Sequence, residues 1–247
     1  MPPAARVARA CGLPWLPVDV GAPPAPAGDA GVWRRLAELT DPAALAAQLE
    51  VVRGECEGRG DVATAFVAAR FAWPLARLAV VPVLTAGTAL RFRPPDLWLR
   101  SDPRGLFTGV RLAAVALATA GAEPAAPAHA LAATLAVEGF RPVVAGLRRQ
   151  GGLGDRALWG QLADAMVATV GTVLGPGGDP ADAARHADLL LRAADPPLWV
   201  RPEFARTDPP AAGQLNWRRG SCCLAYRLAD YGLCTSCPLR VTDLRRG

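Results

Sequence analysis

The 247-residue chain has no lysine and no isoleucine, and Asn216 is its one asparagine. All 27 basic residues are therefore arginine. Such absences follow from GC-rich codons, so the abundance of arginine is discounted as a sign of nucleic-acid binding. Basic residues cluster no further than pairs such as Arg34–Arg35, Arg148–Arg149, Arg218–Arg219 and Arg245–Arg246. Zinc-finger spacing and RNA-recognition signatures are both missing, so nucleic acid is not an expected partner. Histidine is scarce. His129 and His186 are the two in the chain, and neither is read as having an acidic or cysteine partner at ligand spacing. Gly151-Gly152-Leu153-Gly154 follows a helical pattern rather than a strand and lacks a phosphate-binding lysine, so it reads as a turn. Uncharged runs such as 78–90 fall short of the roughly 18 residues a spanning helix needs, and that one contains Pro82. The expectation is no integral membrane span. Arg6 and Arg9 are followed by Pro14, Pro17, Pro23 and Pro24, which leaves no apolar core for a signal peptide. The expected location is the cytoplasm, with peripheral contact at the inner face of the membrane as the other placement.

What is present is a chain 51% hydrophobic and 20% charged, enough for one sizeable domain and a small appended module. The expected class is mainly α (α+β). Residues 1–30, rich in Pro, Ala and Gly, are expected to form an irregular arm. Residues 31–205 are expected to form a helical body. Trp33, Leu36 and Leu39 recur at helical spacing, Asp41–Pro42 is an N-cap followed by a proline suited to the first turn, and Asp61 is read as the cap of a longer helix that Pro74 and Pro82 kink or end. Around 88–111, period-two apolar positions flank the turn cluster Ser101-Asp102-Pro103-Arg104-Gly105, which predicts a β-hairpin with strands near 96–100 and 105–111. Further helices are expected near 127–149, 154–174 and 180–194, the last opened by Asp179–Pro180.

The chemistry gathers in residues 206–247. Cys222 and Cys223 are adjacent, ten residues follow, and then come Cys234-Thr235-Ser236-Cys237-Pro238. Cys11 and Cys56 stand apart and read as small buried hydrophobes. Thiolates are soft ligands for iron–sulfur clusters or zinc. Cys-x-x-Cys presents two sulfurs from one tight turn. Side chains of adjacent extended residues point to opposite faces, so Cys222 and Cys223 converge on one tetrahedral ion only with strain. A two-iron cluster offers more ways to reach both, which favours [2Fe–2S] over zinc. Leu224, Tyr226 and Leu228 alternate as in a short strand, and Ala229-Asp230-Tyr231-Gly232 reads as the turn leading back to Cys234. Arg218, Arg219, Arg227 and Arg240 surround the group. They would raise the potential of an anionic cluster and attract an anionic ferric chelate.

This constellation resembles the C-terminal motif of the FhuF-type ferric-siderophore reductases. The matching residues are Cys222, Cys223, Cys234, Cys237, Pro238 and Leu239, with Arg219, Ser221, Leu224, Tyr226 and Arg227 as similar context. The resemblance implies a [2Fe–2S] cluster on the four cysteines. It implies one-electron reduction of Fe(III) in a siderophore docked on the body, with Arg218, Arg219 and Arg227 as candidate substrate contacts. The electron donor would be a ferredoxin or an NAD(P)H-dependent reductase. Three alternatives stay open on the residues alone: a zinc-stabilised binding module, a thiol–disulfide protein using Cys234 and Cys237, and an iron–sulfur carrier or sensor with another partner.

Overall fold

Ala, Val and Leu occupy every face of the segment 60–86, and a helix of that kind must be enclosed by other elements. The computed structural model describes residues 2–22, 31–118, 126–175, 178–195, 198, 203–206 and 215–240. In chain order its elements are α1 (Pro3–Ala10), β1 (Val18–Val20), β2 (Val32–Arg35), α2 (Leu36–Leu39), α3 (Pro42–Glu55), α4 (Gly60–Ala86), β3 (Ala89–Arg91), β4 (Leu97–Ser101), β5 (Phe107–Leu112), β6 (Ala116–Ala118), α5 (Ala126–Gln150), α6 (Asp155–Leu174), α7 (Pro180–Arg192), β7 (Glu203–Arg206) and β8 (Leu215–Arg218). The architecture is mainly helical with small sheets, as the patterning along the chain implied.

The central helix is α4, packed between α5 and α6. Phe71, Leu75 and Leu78 lie fully inside it, and burying each such side chain contributes about 1.5–3 kcal/mol. The helix runs on through Pro74 and Pro82, so of the expected kink or end neither proline produces an end. Both prolines are buried, so enclosure on all sides offsets the hydrogen bonds they remove. It stops at Gly87, whose φ of 60° gives the left-handed cap that glycine adopts without strain. Its first turn also departs from expectation. Arg59, not Asp61, is the N-cap residue. The Asp–Pro openings of α3 and α7 do hold: Asp41 accepts from the Ala43 N–H at 2.9 Å, and Asp179 from the Ala181 N–H at 3.1 Å.

The hairpin of β4 and β5 lies at the centre of a four-stranded sheet, order β1-β5-β4-β2. Asp102 fixes its turn by accepting from the N–H groups of Arg104 and Leu106 at 2.9 and 2.8 Å. Two expectations are corrected here. Residues 32–35 form a strand antiparallel to β4, not a helix. Trp33 there lies against the guanidinium groups of Arg100 and Arg111, 5.5 and 5.3 Å from its ring, and such cross-strand contacts favour the extended form. The described part of the N-terminal segment is not irregular either. It forms α1 and then β1, which runs parallel to β5, with Leu16 buried and Trp15 exposed. Arg77 of α4 donates to the carbonyls of Cys11 and Gly12 and holds the end of α1.

Three helices among the described residues, α4, α5 and α6, are long and apolar enough to cross a membrane by length and composition. Counting uninterrupted runs overlooks them, because isolated arginines such as Arg70 and Arg77 break a run without much lowering its mean hydropathy. Within the molecule, 78%, 61% and 72% of their most apolar stretches is buried.

Candidate metal centre

Between Ala157 and Ala168, α6 is apolar except for Gln161 and Asp164, one turn apart and each 1% exposed. Unpaired, a buried carboxylate would cost several kcal/mol. Asp164 is instead saturated by the segment that follows β8. The Gly220 N–H donates to Oδ1 at 2.8 Å, and the Ser221 N–H to Oδ2 at 3.1 Å. The Ser221 hydroxyl also donates to Oδ2. Arg219 Nε donates to it at 3.2 Å, as an ion pair. Gln161 accepts from Arg219 Nη2 at 2.7 Å and donates to Ser221 Oγ at 3.2 Å and to the Cys222 carbonyl at 3.3 Å. Burial pushes the Asp164 carboxyl upward, while Arg219, Ser221 and Gly220 draw it down.

Close approach makes this network possible. A Cβ on Gly160 would stand 2.5 Å from Ser221 Cβ, so only glycine at that position lets the segment lie flat on α6. The strands β7 and β8 deliver it there, with Phe204 and Trp217 against Gly171 farther along the helix.

The same segment is tied to the Cys-x-x-Cys turn. The Arg219 N–H donates to the Ser236 carbonyl at 2.9 Å, and the Cys237 N–H closes the turn on the Cys234 carbonyl at 3.1 Å. Cys237 is buried, while Cys222, Cys223 and Cys234 are half-buried. Burial raises the Cys222 and Cys234 thiols, and the nearby Cys223 and Cys237 add to the rise at both. Arg219 opposes the rise at both. The Leu224 N–H points at Cys222 Sγ, 3.4 Å away. Leu224 holds φ 61°, a left-handed conformation uncommon for a residue with a side chain.

Between the cysteine pairs the chain forms a 3₁₀ turn at Ala225–Arg227, not the strand expected from the alternation of Leu224, Tyr226 and Leu228. Leu228 enters the core. The turn is pinned to the start of α4: the Ala229 N–H donates to Glu57 at 2.8 Å, Arg227 pairs with Asp61, and Tyr231 meets the ring of Phe66 at 6.4 Å.

The predicted arginines therefore differ in place. Arg219 is half-buried and engaged with Asp164 and Gln161. Arg227 is exposed, paired with Asp61 and set 5.9 Å from the Tyr226 ring. Arg218 is half-buried at the end of β8. Arg240 is exposed and donates to the Leu233 carbonyl at 2.8 Å. Tyr226, Tyr231, Leu233 and Leu239 stand exposed around the cysteines. Two clefts on the body, one bordered by Arg34, Gln48 and Asp102 and the other by Arg91 and Asp96, include no residue of the cysteine segment.

Cys11 and Cys56 are buried far along the chain from this group; burial pushes the Cys11 thiol up to about 12. The two histidines, read as lacking an acidic or cysteine partner, are brought together, and His186 has an acidic neighbour one turn away. His129 Nε2 and His186 Nδ1 are 2.9 Å apart, and Asp182 lies 3.7 Å from His186 Nε2.

No three His, Cys, Asp or Glu side chains among the described residues close on one point as a single ion requires. A two-iron cluster asks for two thiolates at each iron, and soft thiols offered as two pairs on two tied segments suit that demand. Gln161 and Asp164 escape a search for metal ligands. Their signal is two polar residues one turn apart inside the otherwise apolar stretch 157–168 of α6.

Residues 219–239 match the family of the FhuF 2Fe-2S C-terminal domain, a span containing all four clustered cysteines. A search of curated proteins found no match to the chain. Residues 219–239 are thus similar to an iron–sulfur domain of the FhuF type, and the match supports a [2Fe–2S] cluster as the cofactor.

Proposed function

We propose that Cys222, Cys223, Cys234 and Cys237 hold the cluster, and that the chain reduces Fe(III) bound in a siderophore to Fe(II). The observation that carries the reading is that the four thiols fall in the matched span and are fastened as two tied pairs onto the helical body. When bound, the cluster supplies one-electron transfer: one electron from a ferredoxin or an NAD(P)H-dependent reductase converts one Fe(III) to Fe(II). Siderophores hold Fe(II) far more weakly than Fe(III), so reduction releases the metal and leaves the chelator intact.

The chain's own residues supply ligands and a docking face. No general acid or base is required. Arg227, exposed beside Tyr226 with Asp61 as its partner, is the arginine best placed to meet an anionic chelate, whereas Arg219 is half-buried and engaged with Asp164 and Gln161. The proposed location is the cytoplasm. Six free cysteines suit a reducing compartment, and burial of α4, α5 and α6 in one core supports a chain that does not span the membrane.

The test is turnover. Protein kept reduced by NADPH through a ferredoxin and its reductase is mixed with a panel of Fe(III)-siderophores in the presence of a coloured Fe(II) trap. Catalytic appearance of the Fe(II) complex, lost on Cys222→Ser, is expected for at least one of them. A cluster that exchanges electrons with a donor but reduces no ferric chelate would instead make the protein a carrier or sensor.

A further inference from the structure

The most heavily bonded polar groups near the cysteines are not themselves ligands. We propose that Asp164 and Gln161 of α6, acting through Arg219 and Ser221, are positioning residues that fix the Cys222–Cys223 pair against Cys234–Cys237 and set the charge the cluster experiences. The inference rests on the reading that these cysteines hold the [2Fe–2S] cluster.

Arg219 is the joint of the arrangement. Its guanidinium is fixed by Asp164 and Gln161, and its backbone N–H is bonded to Ser236 between Cys234 and Cys237. Ser221, next in chain to Cys222, is held by three bonds to Asp164 and Gln161 besides its packing on Gly160. Gln161 reaches the Cys222 carbonyl itself. The two cysteine pairs thus share one rigid reference, a buried face of α6. This is more polar bonding than attaching the segment requires, since Leu228 in the core, Glu57 before α4 and Asp61 in its first turn already fasten it to the body.

Charge gives the arrangement a second consequence. The Asp164–Arg219 pair is neutral as a unit and mostly buried, the carboxylate almost wholly so, so water screens it weakly. Asp164→Asn leaves the guanidinium uncompensated near the sulfurs and favours adding an electron. Arg219→Gln leaves the carboxylate uncompensated and disfavours it. A purely structural anchor predicts no such opposition of sign.

The test is redox titration of the intact chain and both variants, followed by EPR, with iron per chain and far-ultraviolet circular dichroism recorded on each. The expected result is a midpoint potential raised in Asp164→Asn, lowered in Arg219→Gln and returned towards the parent in the double variant, at unchanged helical content. If Asp164→Asn releases the cluster while the helices persist, the positioning role stands and the direction of the Arg219→Gln shift decides the charge effect. Unchanged potentials and g-values in both single variants at full iron content, or shifts of the same sign, would overturn the proposal. Absence of a [2Fe–2S] signal from the unmodified chain is a separate result, and it removes the parent reading rather than the role of these residues alone.

Discussion

The helical body and the segment 215–240 bury different things. In the body the interior is Ala, Val, Leu and Phe, drawn from α3 to α7 and from one face of the four-stranded sheet. Among the described residues of the cysteine segment, Ser221, Ala225, Leu228 and Cys237 are buried and Trp217 and Leu224 partly so, while Tyr226, Tyr231, Leu233 and Leu239 face outward. The body keeps its shape through area removed from water. The segment keeps its shape through charge and hydrogen bonds to Asp164, Gln161, Glu57 and Asp61, with a cluster as the remaining tie. A loop with so little apolar burial has little folding energy of its own, so its geometry depends on the anchor and the metal.

The largest stability loss belongs to the body. Phe140 is fully buried and its ring meets Trp159 edge-on at 5.7 Å. Phe140→Ala should cost about 3–5 kcal/mol, read as a lower denaturant midpoint, and the cluster should be lost in the same transition because its platform goes. The reverse experiment sharpens the contrast. Cys222→Ser or Cys234→Ser should abolish the visible chromophore while far-ultraviolet dichroism and the thermal midpoint of the body change little. Collapse of the helices in either variant would mean that the metal holds up the whole fold.

Smaller effects separate the segment's attachments. Arg227 is exposed, so Arg227→Ala should leave the denaturant midpoint unmoved. If it meets the chelate, the same change should raise KM for an anionic ferric siderophore and leave a neutral one unaffected. Least is expected from the histidine pair. Burial holds His186 below its ordinary value of 6.5, with Asp182 opposing and His129 and Arg185 adding to the shift. The unfolded chain then binds a proton before the folded one does. This contribution to stability is therefore present above 6.5 and declines as pH falls below it, a shallow slope that His186→Gln should remove from thermal midpoints measured between pH 7.5 and 5.5.

Sequence and structure agree most closely where a signal is local. The Asp–Pro caps of α3 and α7 and the Asp102 turn between β4 and β5 are short-range chemistry, complete within a few residues. Partners distant in sequence were illegible. The pairing of β1 with β5, the strand at 32–35 and the docking of α1 under Arg77 depend on residues dozens of positions away. Trp33, Leu36 and Leu39 share a helical spacing, yet only the part from Leu36 onward coils. The same divide runs through the site. The thiols were plain from their spacing. The path between them was not, because Leu224 turns left-handed to follow anchors on α4 and α6 rather than the alternation of its neighbours.

The central claim is that this segment carries a two-iron cluster on Cys222, Cys223, Cys234 and Cys237. Anaerobically purified protein, examined by visible absorption and EPR before and after dithionite, tests it most directly. The account predicts a red-brown protein that bleaches on reduction and gains a spin-half signal, with both features absent from the Cys222→Ser variant. A colourless, EPR-silent protein containing stoichiometric zinc would contradict it.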